Sequence, residues 1–366
     1  MSVQNKFLTI LFALTLILPA LDSILSFSPI QELFEKRLPT FLPQSPRDFS
    51  DLKTYPKNFE KFFDDNYGFR KTLIFLNSQI SDKIFDESPD ARVTIGKDGW
   101  LYFDNHNSLL DAVGQATLDE KMIERAVKSF GRNWQNMREK NIDYLLIIAA
   151  DKSTIYPEFL PDYMKRSPDG THRTDKFLEA LIKKYPDFPL LDLRPLLQKV
   201  KKNEILYQKT DTHWNRRGAH YAYVEIMKRL KIKPHLRSDF INKEDEFIRG
   251  DISDIMNSDA KNLNYELTPK FKINFYQIEA SEAEKTQFHK PIFLANHDKN
   301  LPVVFAYKDS YFADLTEFVA QHFSRLYSIN EFPCDLNYEI IKKYRPNVVL
   351  QEFWEGRVEV VLSQCQ

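Results

Sequence analysis

The chain has 366 residues, 43% of them hydrophobic, which is enough for one large or two smaller packed domains. Its 51 basic residues nearly cancel its 52 acidic ones, so the overall charge does not favour a nucleic-acid partner. With nine glycines it has no dinucleotide-binding or P-loop motif, and no histidine or cysteine cluster has metal-site spacing. No cofactor and no metal are therefore expected. Cys334 and Cys365 leave one disulfide and two free thiols as equal alternatives.

The first 25 residues carry an apolar segment that begins after Lys6. Its length is marginal against the roughly 20 apolar residues that a spanning helix needs. Residues 26–28 offer small side chains for a signal-peptidase cut, but Pro29 follows where cleavage should occur. Residues 1–25 are interpreted as a signal anchor or a signal peptide, with an uncleaved anchor favoured and the rest of the chain exported. The alternative is a buried helix of a cytosolic protein.

Residues 26–90 are interpreted as a linker with peripheral helices. The segment 26–58 is rich in proline and serine, which are loop signals, and 59–85 carries apolar residues at helical spacing. Two strand-like runs within 92–103 flank Lys97-Asp98-Gly99, and Asp-Gly between apolar runs is a strong hairpin signal.

Strands and helices alternate through residues 91–366, which are interpreted as one catalytic domain. Apart from one strand, residues 235–300 are predicted to be irregular. The alternation predicts an α/β sheet with helices on both faces. Strands are predicted at Asp143–Ala150, Leu190–Leu193, Phe271–Ile278, Leu301–Tyr307, Leu326–Ile329 and Val348–Phe353, and helices at Leu118–Lys140, at Asp175–Lys184, after Asn215 and after Ser310.

A carboxylate and an imidazole, Asp211 and His213, stand two residues apart just before a predicted helix. Apolar residues at helical spacing from Ala219 to Leu230 define that helix, and Asn215 is a candidate cap for its start. A carboxylate at this spacing can orient an imidazole and fix its tautomer. The alternative is a buried histidine that only hydrogen-bonds Asp211.

Ser310 follows the predicted strand Leu301–Tyr307 and precedes a helix, which is a setting that exposes a nucleophilic hydroxyl. Unpaired N–H groups at the helix start would stabilise an oxyanion. A serine hydroxyl needs a base, and His213, oriented by Asp211, is the candidate. The alternative is that Asp309 or Ser310 only caps the helix.

Several short segments spread over most of the chain combine into a recognisable series. They are Glu35–Pro39 (EKRLP), Asp65–Arg70 (DNYGFR), Ile95–Tyr102 (IGKDGWLY), Asp151-Lys152 with Tyr156-Pro157, Asp211 with His213, and Asp309-Ser310. In this order they resemble motifs of the alginate O-acetyltransferase family of the AlgJ/AlgX type, which has an SGNH-hydrolase-like domain. The serine motif departs from the family's GDS or RDS, because Lys308 precedes Asp309 here. No oxyanion donor beyond the Ser310 amide is assigned.

The resemblance implies an SGNH-hydrolase-like (flavodoxin-like) fold with a mostly parallel sheet, helices on both faces and an N-terminal membrane anchor. It implies an O-acetyltransferase that acetylates hydroxyl groups of an extracytoplasmic polysaccharide through an acetyl-serine, with Ser310, His213 and Asp211 as the triad. The expected location is periplasmic, anchored to the inner membrane, in the shorter form without a carbohydrate-binding module. The expected partner is a membrane-bound O-acyltransferase that supplies acetyl.

Three further side chains, Trp214, Lys152 and Tyr156, are candidates to line the sugar site, although Trp214 could instead be a core residue. Two other functions use the same residues. A carbohydrate esterase or deacetylase would replace the sugar hydroxyl with water, and a non-catalytic scaffold would only bind polysaccharide.

Overall fold

A computed structural model of the chain describes residues 3–29, 39–85, 87–168, 170–287 and 289–365. The chain divides into two compact units, residues 1–93 with 253–259 and residues 94–252 with 260–366. Residues 35–38 of the EKRLP motif lie outside the described residues.

The first unit is helical, and its helices are α1 (Val3–Leu25), α2 (Phe49–Asn66) and α3 (Arg70–Ile80). Within α1, residues Gln4–Leu25 are long and apolar enough to cross a membrane. The prediction of a linker through residue 58 is wrong at its end, because α2 already begins at Phe49. The Asp48 carboxylate caps α2 by accepting two backbone N–H groups, while Pro56 inside the helix removes only one donor.

The strands in the described part of the chain fall into three sheets. The short strands β1 and β2 form the predicted hairpin, with positive φ at Asp98 and Gly99 in its turn. A seven-stranded sheet has the order β4-β3-β11-β9-β10-β8-β7, and β5 pairs only with β6. The strands are β1 (Val93–Ile95), β2 (Leu101–Phe103), β3 (Asp143–Ala149), β4 (Leu190–Asp192), β5 (Phe240–Arg249), β6 (Lys261–Pro269), β7 (Phe275–Ile278), β8 (Ile292–Asn296), β9 (Val303–Tyr307), β10 (Arg325–Ile329) and β11 (Val348–Trp354).

In the large sheet β4, β3, β11, β9 and β10 are parallel, and β8 is antiparallel to β10 and β7. The six predicted strands are therefore confirmed as β3, β4, β7, β9, β10 and β11. The helices of this part are α4 (Ser108–Ala112), α5 (Glu120–Glu139), α6 (Lys152–Ile155), α7 (Arg173–Lys184), α8 (Arg194–Val200), α9 (Arg216–Arg229), α10 (Asp251–Ile255), α11 (Glu282–Gln287), α12 (Ala313–Ala320), α13 (Tyr338–Tyr344) and α14 (Val358–Ser363).

Both faces of the large sheet are covered. Leu145 and Ile147 of β3 belong to a core cluster with residues of α9 and α12, whereas Leu146 and Ile148 belong to a second cluster with residues of α5 and α7. Successive strand side chains point to opposite faces, so this continuous apolar run fills both layers. Each such fully buried side chain stabilises the fold by roughly 1.5–3 kcal/mol. The predicted α/β sheet, mostly parallel and covered by helices on both faces, is confirmed.

The prediction that residues 235–300 are largely irregular is wrong. The segment contains the hairpin of β5 with β6, as well as β8. Strand β5 is rich in charged residues and pairs with a single strand, so it lacks the alternating apolar pattern that marks a half-buried strand. The structure also pairs Cys334 with Cys365 in a disulfide, which decides between the two alternatives for these residues.

Candidate active site

Asp211 and His213 lie in the turn that leads into α9. The turn is closed by an isolated bridge between Tyr207 and Trp214. The predicted cap is confirmed, because the Asn215 side chain accepts the backbone N–H groups of the second and third helix residues. This cap fixes the direction in which the chain enters α9, and with it the position of the imidazole two residues earlier.

Ser310 begins the short 3-10 turn after β9, at the carboxyl edge of the sheet. The side chain of Asp309, not that of Ser310, caps this turn by accepting the Tyr311 N–H at 2.9 Å. Ser310 is exposed, and its Oγ lies 2.8 Å from His213 Nε2. The capping alternative thus describes Asp309, while the Ser310 hydroxyl is left to pair with the imidazole.

A continuous hydrogen-bonded chain joins the three predicted catalytic residues. His213 Nδ1 is 2.9 Å from Asp211 Oδ1, and the His213 backbone N–H donates to the same oxygen at 2.9 Å. A carboxylate only accepts, so Nδ1 carries a proton, and in the neutral imidazole Nε2 is free to accept the Ser310 hydroxyl proton. The buried-histidine alternative does not describe this residue, because 24% of the His213 side chain is exposed.

Asp251, which sequence reasoning missed, holds the other side of this turn. Its backbone N–H donates to Asp211 Oδ2 at 2.9 Å, and its carboxylate accepts the Thr212 N–H at 2.7 Å. Gly250 permits this approach, since a Cβ there would lie 2.2 Å from the Thr210 carbonyl oxygen. Asp251 is distant in sequence and matches no motif, so only the fold identifies it.

A tyrosine on the serine turn connects the two halves of the site. The Tyr311 hydroxyl donates to the Thr212 carbonyl at 2.9 Å, and its ring lies 4.9 Å from that of His213. Tyr311 is buried, so this hydrogen bond is shielded from water. It maintains the separation between the hydroxyl of Ser310 and the imidazole.

Residues at the end of β11 hydrogen-bond Asp309, the residue before Ser310. The Asp309 N–H donates to Glu352 Oε2 at 3.0 Å, and Asp309 Oδ2 accepts the Trp354 N–H at 2.8 Å. Burial raises the pKa of Glu352 well above its usual range, and the nearby Asp309 charge raises it further. The Ser310 amide is the first of its 3-10 turn, where a backbone N–H has no acceptor within the turn, so it is a candidate oxyanion donor.

The electrostatics of the site couple the imidazole to the carboxylates. Burial by itself lowers the pKa of His213, but the hydrogen bond and charge of Asp211, aided by Asp251 and Asp314, raise it to about 9. Burial raises the pKa of Asp211, and the hydrogen bond and charge of His213 outweigh this and lower it to about 2. The resting site is therefore an ion pair at neutral pH, and base catalysis requires the fraction with neutral imidazole.

Asp211, His213 and Asp251 are the one set among the described residues whose ligand atoms all lie within 4.8 Å of one another, as a metal would need. Those atoms already hydrogen-bond each other, the Thr212 amide and Ser310. Proton transfer between serine and imidazole is the chemistry that this arrangement supports.

The three predicted sugar-lining residues lie in the interior, which corrects that prediction. The exposed fractions are 1% for Trp214, 3% for Lys152 and 4% for Tyr156. The Trp214 ring packs edge-on against Tyr311, and the Tyr156 hydroxyl accepts the Leu206 N–H. Side chains with so little exposed surface cannot offer a face to a polysaccharide.

Lys152 instead lies beneath the turn that carries Asp211 and His213, and hydrogen-bonds its backbone. Its Nζ donates to the backbone carbonyls of Gln208, Lys209 and Asp211, at 3.3, 3.1 and 2.6 Å. Burial lowers its pKa to about 8 against the opposing effect of the nearby carboxylates. Three donors of one ammonium thus fix the backbone on which Asp211 stands.

We expect Lys152→Met to lower kcat/KM toward a soluble acetyl ester by roughly 10²-fold, because small displacements of catalytic groups carry penalties of this size. The loss should fall on kcat rather than KM, since Lys152 has no surface for substrate. Lys209→Met is the matched control, because the Lys209 ammonium donates to the Asp98 backbone carbonyl in an exposed hydrogen bond. Wild-type kinetics in a folded Lys152→Met variant would show that Lys152 does not position the backbone of this turn for activity.

Part of the chain that carries this site is similar to known proteins. The family model for the SGNH hydrolase-like domain of acetyltransferase AlgX matches residues 93–273, which include Asp211 and His213. The probable alginate O-acetylase AlgJ of Pseudomonas aeruginosa is 26% identical over 163 residues, 44% of this chain and 38% of that protein. The AlgJ of Pseudomonas syringae pv. tomato is 25% identical over 207 residues, 53% of this chain and 50% of that protein. The chain therefore aligns with at most half the length of these relatives.

Among solved structures, Bacillus cereus PatB1 with a sulfonyl adduct superposes with a TM-score of 0.55 at 17% identity, over 75% of this chain and 99% of that one. This likeness shows the fold. Residues 93–273 of this chain are thus similar to the SGNH hydrolase-like domain of the AlgX acetyltransferase type.

Proposed function

We propose that this protein is an O-acetyltransferase that acetylates hydroxyl groups of an extracytoplasmic polysaccharide through an acetyl-serine. The observation that carries the proposal is the unbroken hydrogen-bonded chain from Ser310 Oγ through His213 to Asp211. The relatives' name, probable alginate O-acetylase, supports acetyl as the transferred group and a uronate polymer as the acceptor.

In the first half-reaction Ser310 Oγ attacks the carbonyl carbon of the acetyl donor while its proton passes to His213 Nε2. The tetrahedral oxyanion is stabilised by the Ser310 amide. The bond between the acetyl carbon and the donor oxygen then breaks, and the leaving oxygen takes the proton from His213. Asp211 stabilises the imidazolium that exists between these two transfers.

In the second half-reaction a sugar hydroxyl takes the place of the leaving group. Neutral His213 accepts the proton of that hydroxyl as its oxygen attacks the acetyl carbon of the ester. The bond from Ser310 Oγ to the acetyl carbon breaks, and Oγ recovers the proton from His213. If water attacked instead, the same residues would form an esterase, so the acceptor decides between the two activities.

Helix α1 and the disulfide support an exported, membrane-anchored location. Disulfides persist in oxidising compartments outside the cytoplasm, and Cys334 is joined to Cys365. The described part of α1 has the length and composition of a spanning helix. The catalytic unit would then be periplasmic, with a membrane-bound O-acyltransferase as the partner that passes acetyl across the inner membrane.

The test uses the full chain in detergent with 4-nitrophenyl acetate, first without and then with alginate oligosaccharides. We expect nitrophenol release, a single acetyl group on Ser310 in rapidly acid-quenched samples, and acetylated oligosaccharide once acceptor is present. Acetate as the sole product in the presence of acceptor would assign an esterase. Oligosaccharide binding without nitrophenol release or acetyl-serine would assign a non-catalytic scaffold.

A further inference from the structure

The helices α2 and α3 of the first unit expose their apolar faces. No residue of α2 is buried, and Leu52, Phe59 and Phe63 are 57%, 41% and 51% exposed. On α3, Leu73 and Leu76 are 55% and 49% exposed. Folded proteins seldom leave such aligned apolar side chains in water without a partner surface.

The exposed residues of each helix recur at helical spacing, and those of α2 make it an amphipathic helix. Leu52, Phe59 and Phe63 share one face of α2, while the lysines Lys57 and Lys61 lie on the opposite face. An amphipathic helix whose apolar face is not covered by protein fits the interfacial plane of a membrane, with that face in the lipid. Acidic and basic side chains alternate on the polar face of α2, so anionic lipid is not required.

The position of α1 indicates where a membrane would lie relative to α2 and α3. The turn between α2 and α3 is bonded to the end of α1, since the Phe69 N–H donates to Asp22 Oδ2 at 2.8 Å. Gly68 lies against the same end, where a Cβ would meet the Pro19 carbonyl oxygen at 1.9 Å. The C-terminal end of α1, a helix able to span a membrane, is therefore joined to the corner between α2 and α3.

An open groove between α2 and α3 adds to this surface. It has a volume of about 360 Å³, and its apolar lining comes from Phe63, Tyr67, Leu73 and Ile74. A groove of this chemistry accepts an acyl chain or the side of a lipid tail.

We propose that α2 and α3 form a platform that lies in the lipid–water interface of the outer leaflet of the inner membrane, beside the end of α1. The occupant of the apolar faces is the lipid bilayer. The inference depends on the anchor role proposed for α1 but not on the acyl-transfer chemistry. A platform of this kind holds the first unit flat on the membrane instead of leaving it on a flexible stalk.

The experiment places single spin labels on the full chain reconstituted in phosphatidylcholine nanodiscs. Both native cysteines are in the disulfide, so an introduced cysteine is the one free thiol. Labels at Phe59 and Leu76 report the apolar faces, Lys57 is the matched polar-face control on α2, and Leu14 reports α1. Collisions with lipid-soluble oxygen and with a water-soluble nickel chelate measure depth. We expect oxygen to dominate at 59, 76 and 14, and nickel at 57.

Four results bear on the proposal. Nickel-dominated labels at 59 and 76, with 14 in the bilayer, would show that the platform faces water and would overturn it. Labels at 59 and 76 shielded from both reagents would show a protein partner or a second copy and would also overturn it. A water-exposed label at 14 would overturn the anchor and the platform together. The expected depth pattern supports the platform even if no acetyl transfer is found.

Discussion

Replacing Ser310 with alanine is expected to lower kcat toward acetyl esters by a factor on the order of 10⁴ to 10⁶. The hydroxyl that forms the covalent ester is lost, and His213 Nε2 loses its partner at 2.8 Å. The residual rate would come from the oxyanion donor and from substrate binding. The measurement is nitrophenol release together with mass analysis of the peptide that contains residue 310.

Ser363→Ala is the matched control, because its exposed hydroxyl bonds only a carbonyl of its own helix, α14. It should retain wild-type kinetics. Since the three residues act as one unit, Ser310→Ala combined with His213→Ala should lose no more than either change alone. Additive losses, or an active Ser310→Ala variant, would mean that the serine and the imidazole do not work on the same proton.

Asp211→Asn is expected to lower kcat near neutral pH by roughly 10⁴-fold. An amide can offer its NH₂ group to Nδ1, which places the imidazole proton on Nε2 and leaves no base facing Ser310. Asp251→Asn is the comparison, because its side-chain oxygen can still accept the Thr212 N–H and its backbone N–H still reaches residue 211. We expect a smaller loss there.

The pH dependence of Asp211→Asn provides a second readout. In the wild type kcat/KM should rise with pH toward about 9, because the pKa of His213 is raised to that value and only neutral imidazole acts as a base. Without the Asp211 charge, burial pulls the pKa of His213 down, so the acidic limb of the residual activity should shift to lower pH. If the acidic limb of the pH profile did not move, the group that titrates there would be one other than His213.

The ion pair of His213 and Asp211 makes the free energy of unfolding depend on pH. The raised pKa of His213 stabilises the fold fully below the ordinary histidine value and ceases to do so as pH rises through about 9. The lowered pKa of Asp211 stabilises it above the ordinary aspartate value, and this contribution is lost as pH falls through about 2. Between those ordinary values both contributions are present.

Short-range patterns carried most of the correct fold predictions. The continuous apolar run of β3 and the Asn215 cap depend on a few adjacent residues, so both are visible in the sequence. The residue types of the candidate site were also visible in the sequence, because Asp211 and His213 are two positions apart and Ser310 follows a strand. The charged strand β5 could not be recognised in the sequence, because it pairs with one neighbouring strand and does not have the apolar pattern of a core strand.

The sequence by itself determined the alternation of strands and helices, the caps, and the presence of an acid, a base and a hydroxyl in catalytic settings. The tertiary structure decided which of these meet, since Ser310 and His213 are 97 positions apart and join only at the sheet edge. It also decided that Lys152 lies beneath the turn rather than in a sugar site, that Asp251 belongs to the turn, and that the cysteines pair. The physical reason is that burial and long-range hydrogen bonds depend on which surfaces the folded chain brings together, and local residue patterns do not contain that information.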